Sequence, residues 1–104
     1  MQSITVQELK QKRENNEEHQ LIDVREPYEV DICTIDGENL PMGDIMGNMD
    51  KVRKDIPVVV HCRSGKRSAA VIEALERNGY SNLSNLEGGI LAWVAEIDTS
   101  LSSY

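Results

Sequence analysis

The chain has 104 residues with 39% hydrophobic and 28% charged side chains, the balance of one soluble globular domain with a single core. Its formal net charge of −7 argues against general binding to nucleic acid or anionic membranes. No apolar run approaches a membrane span, and Met1-Gln2-Ser3-Ile4-Thr5 lacks the basic and apolar regions of a signal peptide, so a cytoplasmic location is expected.

Alternating strands and helices are predicted along the chain. Ile4 opens a short strand. Thr5 and Glu8 have the spacing of a capping box, starting a helix that turns Val6 and Leu9 inward and ends near Arg13. The polar run Glu14 to Gln20 reads as loop, and Leu21 to Val24 as a buried strand. Pro27 suits the first turn of a short helix through Glu29 and Val30. Ile32 to Leu40 reads as loop, with a short strand near Asn39-Leu40 that Pro41 ends. Met42 to Met49 is weakly helical, and Met42, Met46 and Met49 at helical spacing suggest core or pocket-wall filler.

Val58 to Val60 has no polar alternation, as in a buried parallel strand. It runs into His61-Cys62-Arg63-Ser64-Gly65-Lys66-Arg67, and an apolar-faced helix is expected from Ser68 to Asn78-Gly79, with Ser68 as a possible cap. Asn82 to Leu86 reads as the last strand. Gly88-Gly89 turns into a final helix, Ile90 to Ile97, with Trp93 as a core anchor. The domain is expected to span 1–98, followed by a polar, frayed tail over Thr99 to Tyr104. Strands joined by helical crossovers imply an α/β layer structure with a mostly parallel sheet, whose ligands bind beyond the carboxyl ends of the strands.

Cys62 stands at such an end, beneath free N–H groups at the positive end of a helix dipole, which favours the reactive thiolate. Gly65 lets the backbone turn, and the N–H groups of residues 63 to 67 are expected to ring a charged atom carried on Cys62. Arg63 is placed to attract an anion and Arg67 to close or brace the ring. Lys66 reads either as part of this anion site or as a solvated loop charge. His61 is a general base or a packed strand-end side chain, and Cys33 a resolving thiol or an ordinary buried cysteine. The two cysteines, far apart and in no ligand cluster, suggest free thiols rather than a disulfide or zinc site. A phosphatase signature of the form His-Cys-x-x-Gly-x-x-Arg has one more residue before its arginine. The shorter loop here favours a single sulfur atom over a tetrahedral phosphoryl group.

From about Ile4 to Ile97 the chain resembles the single-domain rhodanese family of sulfurtransferases. Four stretches carry the resemblance: Leu21-Ile22-Asp23-Val24-Arg25-Glu26-Pro27-Tyr28-Glu29, Asn39-Leu40-Pro41-Met42, Cys62-Arg63-Ser64-Gly65-Lys66-Arg67-Ser68 and Leu86-Glu87-Gly88-Gly89-Ile90-Leu91-Ala92-Trp93. Where the family usually reads His-Ile-Pro-Gly-Ala, this chain has Thr34-Ile35-Asp36-Gly37-Glu38. Asp31-Ile32-Cys33-Thr34 is similar to rhodanese segments fused to sulfur-activating adenylyltransferases. The resemblance implies a three-layer fold and a ping-pong reaction. In it Cys62 takes sulfur from a small anionic donor such as thiosulfate and passes it, as a persulfide, to a thiol, a protein or cyanide. It implies no metal or organic cofactor. Asp23, Arg25 and Glu87 are expected to form an ion-pair network beside the loop rather than to bind substrate. A phosphatase or arsenate reductase of the same fold, and a non-catalytic binding module, are the competing readings. A monomer is expected.

Overall fold

A computed structural model describes residues 1–104. Five strands, β1 (Gln2–Ile4), β2 (Gln20–Asp23), β3 (Glu38–Asn39), β4 (Val58–His61) and β5 (Leu83–Leu86), form one sheet in the order β1-β5-β4-β2-β3. Every pairing is parallel, so every connection crosses back over the sheet. The crossovers are α1 (Val6–Glu14), α2 (Pro27–Ile32), α3 (Met42–Ile45), α4 (Lys66–Arg77) and α5 (Gly89–Glu96), with a 3₁₀ segment at Met46–Lys51.

The strands' period of two sorts the core into two halves. Val58, Val60 and Cys62 face one side and join Ile45 of α3 and Val71, Ile72 and Leu75 of α4. Val59 faces the other side and joins Val6 and Leu9 of α1 and Ile90, Trp93 and Val94 of α5. The sheet is therefore sandwiched between two helical layers, and its central strand β4 is buried throughout. An apolar strand without alternation is what two covered faces require. No helix is long and apolar enough to cross a membrane.

Local signals act as their chemistry suggests. The Thr5 hydroxyl accepts from the Glu8 N–H at 3.1 Å, and the Glu8 carboxylate accepts from the Thr5 N–H at 3.0 Å, closing the capping box. Pro27 occupies the first turn of α2. After α4, Gly79 takes a φ of +92° and the Tyr80 N–H reaches back to the Leu75 carbonyl, a Schellman-type ending. In the Thr34-Ile35-Asp36-Gly37 departure, the Thr34 hydroxyl accepts from the Asp36 N–H at 3.0 Å and Asp36 adopts φ +67°. The turn is thus made by a hydroxyl and a left-handed aspartate, and it buries Ile35.

Three expectations need correction. Helix α4 begins at Lys66, two residues before Ser68, because Gly65 (φ +108°) already provides the turn into it. Met42 and Met46 are exposed, and only Met49 packs on the core, because the short α3 gives way to the 3₁₀ segment and loses the 3.6-residue period. Residues 99–104 do not form a frayed tail: Leu101 and Tyr104 pack against the α1/α5 half of the core.

Candidate active site

Strand β4 delivers Cys62 to the carboxyl end of the sheet, where its side chain is 1% exposed. The chain from Cys62 to Ser68 folds around the sulfur. The Gly65 N–H donates to Sγ at 3.1 Å and the Ser68 N–H at 3.4 Å, while the Ser68 hydroxyl lies 3.4 Å away. Burial opposes the thiolate, but the hydrogen bonds from Ser68, Gly65 and Ser64 outweigh it and hold the thiol below its ordinary pKa. The N–H groups of Lys66 and Arg67, in the first turn of α4, have no acceptor within the protein.

For the loop's N–H groups to face inward, its carbonyls must face outward, and α5 holds them there. The Ile90 N–H donates to the Cys62 carbonyl at 3.0 Å and the Leu91 N–H to the Arg63 carbonyl at 3.1 Å. Gly88 and Gly89 permit this approach. Both have positive φ, and a Cβ on Gly89 would fall within 2.7 Å of the Cys62 carbonyl oxygen and closer still to that of Arg63. The Gly-Gly pair near the end of the chain is thus the floor on which the cysteine loop rests.

Beside the loop lies a buried ionic network. The Arg25 guanidinium donates to both Asp23 carboxylate oxygens, to the Cys33 and Glu29 carbonyls, and to the Tyr104 hydroxyl. Burial disfavours its charge, yet Asp23 and Tyr104 overcome that cost and strengthen its protonation. Arg67 grips Glu29 with two bonds of 2.7 and 2.8 Å, and Tyr104 donates to the same carboxylate at 2.9 Å. The Arg67 bonds are the main cause that lowers the Glu29 pKa to about 2. Asn39 bonds the Asp23 and Arg25 carbonyls and so fixes the end of β2.

Several sequence-predicted residues are therefore brought together and others are not. Cys62, Gly65 and Ser68 converge on one sulfur atom, and Arg63, Ser64 and Lys66 are exposed at the rim. Asp23 and Arg25 pair in the network as expected. Glu87 does not join them: it is exposed, and only its backbone N–H is used, by the Ile4 carbonyl. Its place in the network belongs to Glu29, which α2 turns inward. Ser68 does not cap α4, whose N-cap is Gly65; instead its hydroxyl lies beside the sulfur and donates to the Asn85 side chain. His61 is fully buried and pushed toward the neutral form mainly by that burial, so it is a packed strand-end side chain. Cys33 is buried, and its carbonyl serves Arg25.

Glu29, Asn85 and Tyr104 escaped the sequence reading as site residues. Glu29 lies inside a recognised stretch, but nothing local shows which way a short helix points it. Tyr104 is 79 residues from its partner Arg25. The largest surface hollow, about 650 Å³, is lined by residues such as Arg13, His19, Gln20 and Arg53. Gln20 begins β2, so this hollow opens at the amino ends of the strands, opposite Cys62.

The profile of the rhodanese-like domain matches residues 5–96. The putative sulfurtransferase YtwF of Bacillus subtilis is 41% identical over 97 residues, which cover 92% of this chain and 93% of that protein. The probable adenylyltransferase/sulfurtransferase MoeZ of Mycobacterium tuberculosis is 33% identical over 98% of this chain, which spans 27% of that longer protein. Among solved structures, a rhodanese-like domain protein from Staphylococcus aureus superposes with a TM-score of 0.84 at 35% identity, covering 100% of this chain and 99% of that one. The fold, the cysteine loop and these matches agree: the chain belongs to the rhodanese-like domain family.

Proposed function

We propose that the chain is a sulfurtransferase that carries sulfur on Cys62. The thiolate attacks the outer sulfur of a thiosulfate-like anion; the S–S bond of the donor breaks, and sulfite leaves with the bonding pair. Cys62 then holds a persulfide whose charge resides on the outer sulfur. An acceptor thiolate or cyanide attacks that sulfur, and the Cys62 thiolate is released. The observation that carries the reading is the small cradle: Gly65 and Ser68 N–H groups at Sγ, and the unpartnered N–H groups of Lys66 and Arg67 above them. Relatives named as sulfurtransferases, at 41% and 40% identity over most of the chain, support it. Exposed Arg63 and Lys66 suit an anionic donor on an otherwise acidic surface.

Phosphoryl transfer is disfavoured by the short loop and by Arg67, whose guanidinium is bound to Glu29 rather than free for a phosphate. A non-catalytic module would have no need of a thiol that hydrogen bonds hold below its ordinary pKa. Mass spectrometry after thiosulfate exposure should show one added sulfur on the peptide carrying Cys62. Thiocyanate formation from thiosulfate and cyanide should disappear in Cys62→Ser. No adduct with any of several donors, or undiminished turnover in the variant, would overturn the proposal.

A further inference from the structure

Beside the cysteine the structure builds a second chain of contacts, through Ser68 to Asn85. Asn85, the third residue of β5, makes two bonds there. Its amide donates to the Gly65 carbonyl at 3.1 Å, and its oxygen accepts from the Ser68 hydroxyl at 2.6 Å. The orientation of the amide follows from the chemistry of its partners. The Gly65 carbonyl can only accept, so the NH₂ group faces it, and the oxygen is left toward Ser68.

A serine hydroxyl has one proton. Committed to Asn85, it leaves Ser68 Oγ facing Cys62 Sγ at 3.4 Å with lone pairs alone. That arrangement suits a thiol, whose S–H can donate to Ser68. It does not suit a thiolate, for which the hydroxyl must turn and donate to sulfur, breaking its bond to Asn85. The fully buried Ser68 is within reach of only these two claimants.

We propose that Asn85 is a positioning residue, which competes with Cys62 for the Ser68 proton and thereby sets how readily the thiol ionises. Under the sulfur-transfer reading, on which this extension alone rests, the charge of a persulfide sits on the outer sulfur. Sγ then has less need of a donor, and the Ser68 hydroxyl returns to Asn85. The hydroxyl would follow the charge through the reaction, with Asn85 as its alternative partner.

Two substitutions move this competition in opposite directions. Asn85→Asp replaces the amide by a stronger acceptor, binds the Ser68 proton more firmly and should raise the midpoint of Cys62 ionisation. Asn85→Ala removes the competitor, frees the hydroxyl for sulfur and should lower it. The Gly65 carbonyl keeps the Ala69 N–H at 3.2 Å, so the alanine variant retains the turn into α4.

The measurement is the pH dependence of alkylation by iodoacetamide, read by mass spectrometry on the peptide carrying Cys62 so that Cys33 does not interfere. Asn85→Asp should shift the midpoint up by about one unit, about a tenfold slower reaction at a pH below both midpoints. Asn85→Ala should shift it down. In a Ser68→Ala background, Asn85→Ala should lose its effect and Asn85→Asp most of its own, keeping only what a nearby charge exerts directly. Shifts of the same sign for the two variants, or shifts undiminished in the Ser68→Ala background, would overturn the proposal. If Asn85→Asp does not fold, the alanine variant with and without Ser68 decides alone. Alkylation needs no sulfur donor, so its outcome is independent of whether Cys62 forms a persulfide.

Discussion

Single side chains control the candidate site through a few strong interactions. Glu29 shows this with a definite sign. Its carboxyl group has an ordinary pKa of 4.5 and is lowered to about 2, first by its bonds to Arg67. A carboxylate lowered on folding stabilises the native state above its unfolded pKa, and that contribution is lost as pH falls from about 4.5 toward 2. Glu29→Gln should therefore cost roughly 1–3 kcal/mol at neutral pH, a range reduced because Arg67 is partly exposed. Denaturant titrations should show the gap between wild type and variant narrowing through that acid window. A constant gap would mean that the ionic bonds are not its source. The rim cations call for a different test. Lys66 is exposed and makes no ion pair, so Lys66→Ala should slow reaction of Cys62 with thiosulfate more than reaction with neutral iodoacetamide. Equal effects on the two reagents would assign Lys66 to the solvated surface rather than to anion capture.

At the scale of elements, the cysteine loop is made by its neighbours as much as by itself. Strand β4 supplies the direction, α4 the N–H groups, and the start of α5 the floor whose N–H groups hold the loop's carbonyls. Gly89→Ala tests the last of these. The new Cβ meets the Arg63 and Cys62 carbonyls at a left-handed φ of +58°. Destabilisation of at least about 2 kcal/mol is expected. For a domain of this size that is a fall in Tm of about 8 °C or more, accompanied by a changed alkylation rate at Cys62. Thr5→Ala is the contrasting case. It removes the hydroxyl of the α1 capping box, should cost about 1 kcal/mol, and should leave Cys62 reactivity unchanged because α1 makes no bond to the loop. The capping box, the Pro27 helix start and the Gly79 helix end were legible in the sequence because each is settled within a few residues. The length of the Met42–Met49 helix was not. Gly43 and Gly47 weaken the helical preference, and packing of Ile45 and Met49 on the core decides where the period breaks.

At the scale of the whole molecule, an all-parallel sheet must be covered on both faces, and each face has its own core. Leu75 is fully buried between α4 and the sheet, so Leu75→Ala should cost about 2–5 kcal/mol in denaturant unfolding. A loss below about 1 kcal/mol would show that this half of the core repacks freely. The sequence by itself determined the layer architecture, the place of Cys62 at the mouth of a parallel strand, and a Cys62–Arg67 loop one residue shorter than the phosphatase signature. Those features rest on strand patterning, turn residues and residue counting, all of which act over short stretches of chain. Only the tertiary structure decided which acidic side chain meets Arg67, that Tyr104 closes over Arg25, and that Asn85 shares the Ser68 proton. The partners in these contacts lie 17 to 79 residues apart, and they are joined by the parallel pairing of β2 with β4 and β4 with β5 and by the packing of the C-terminal residues on the α1/α5 half of the core.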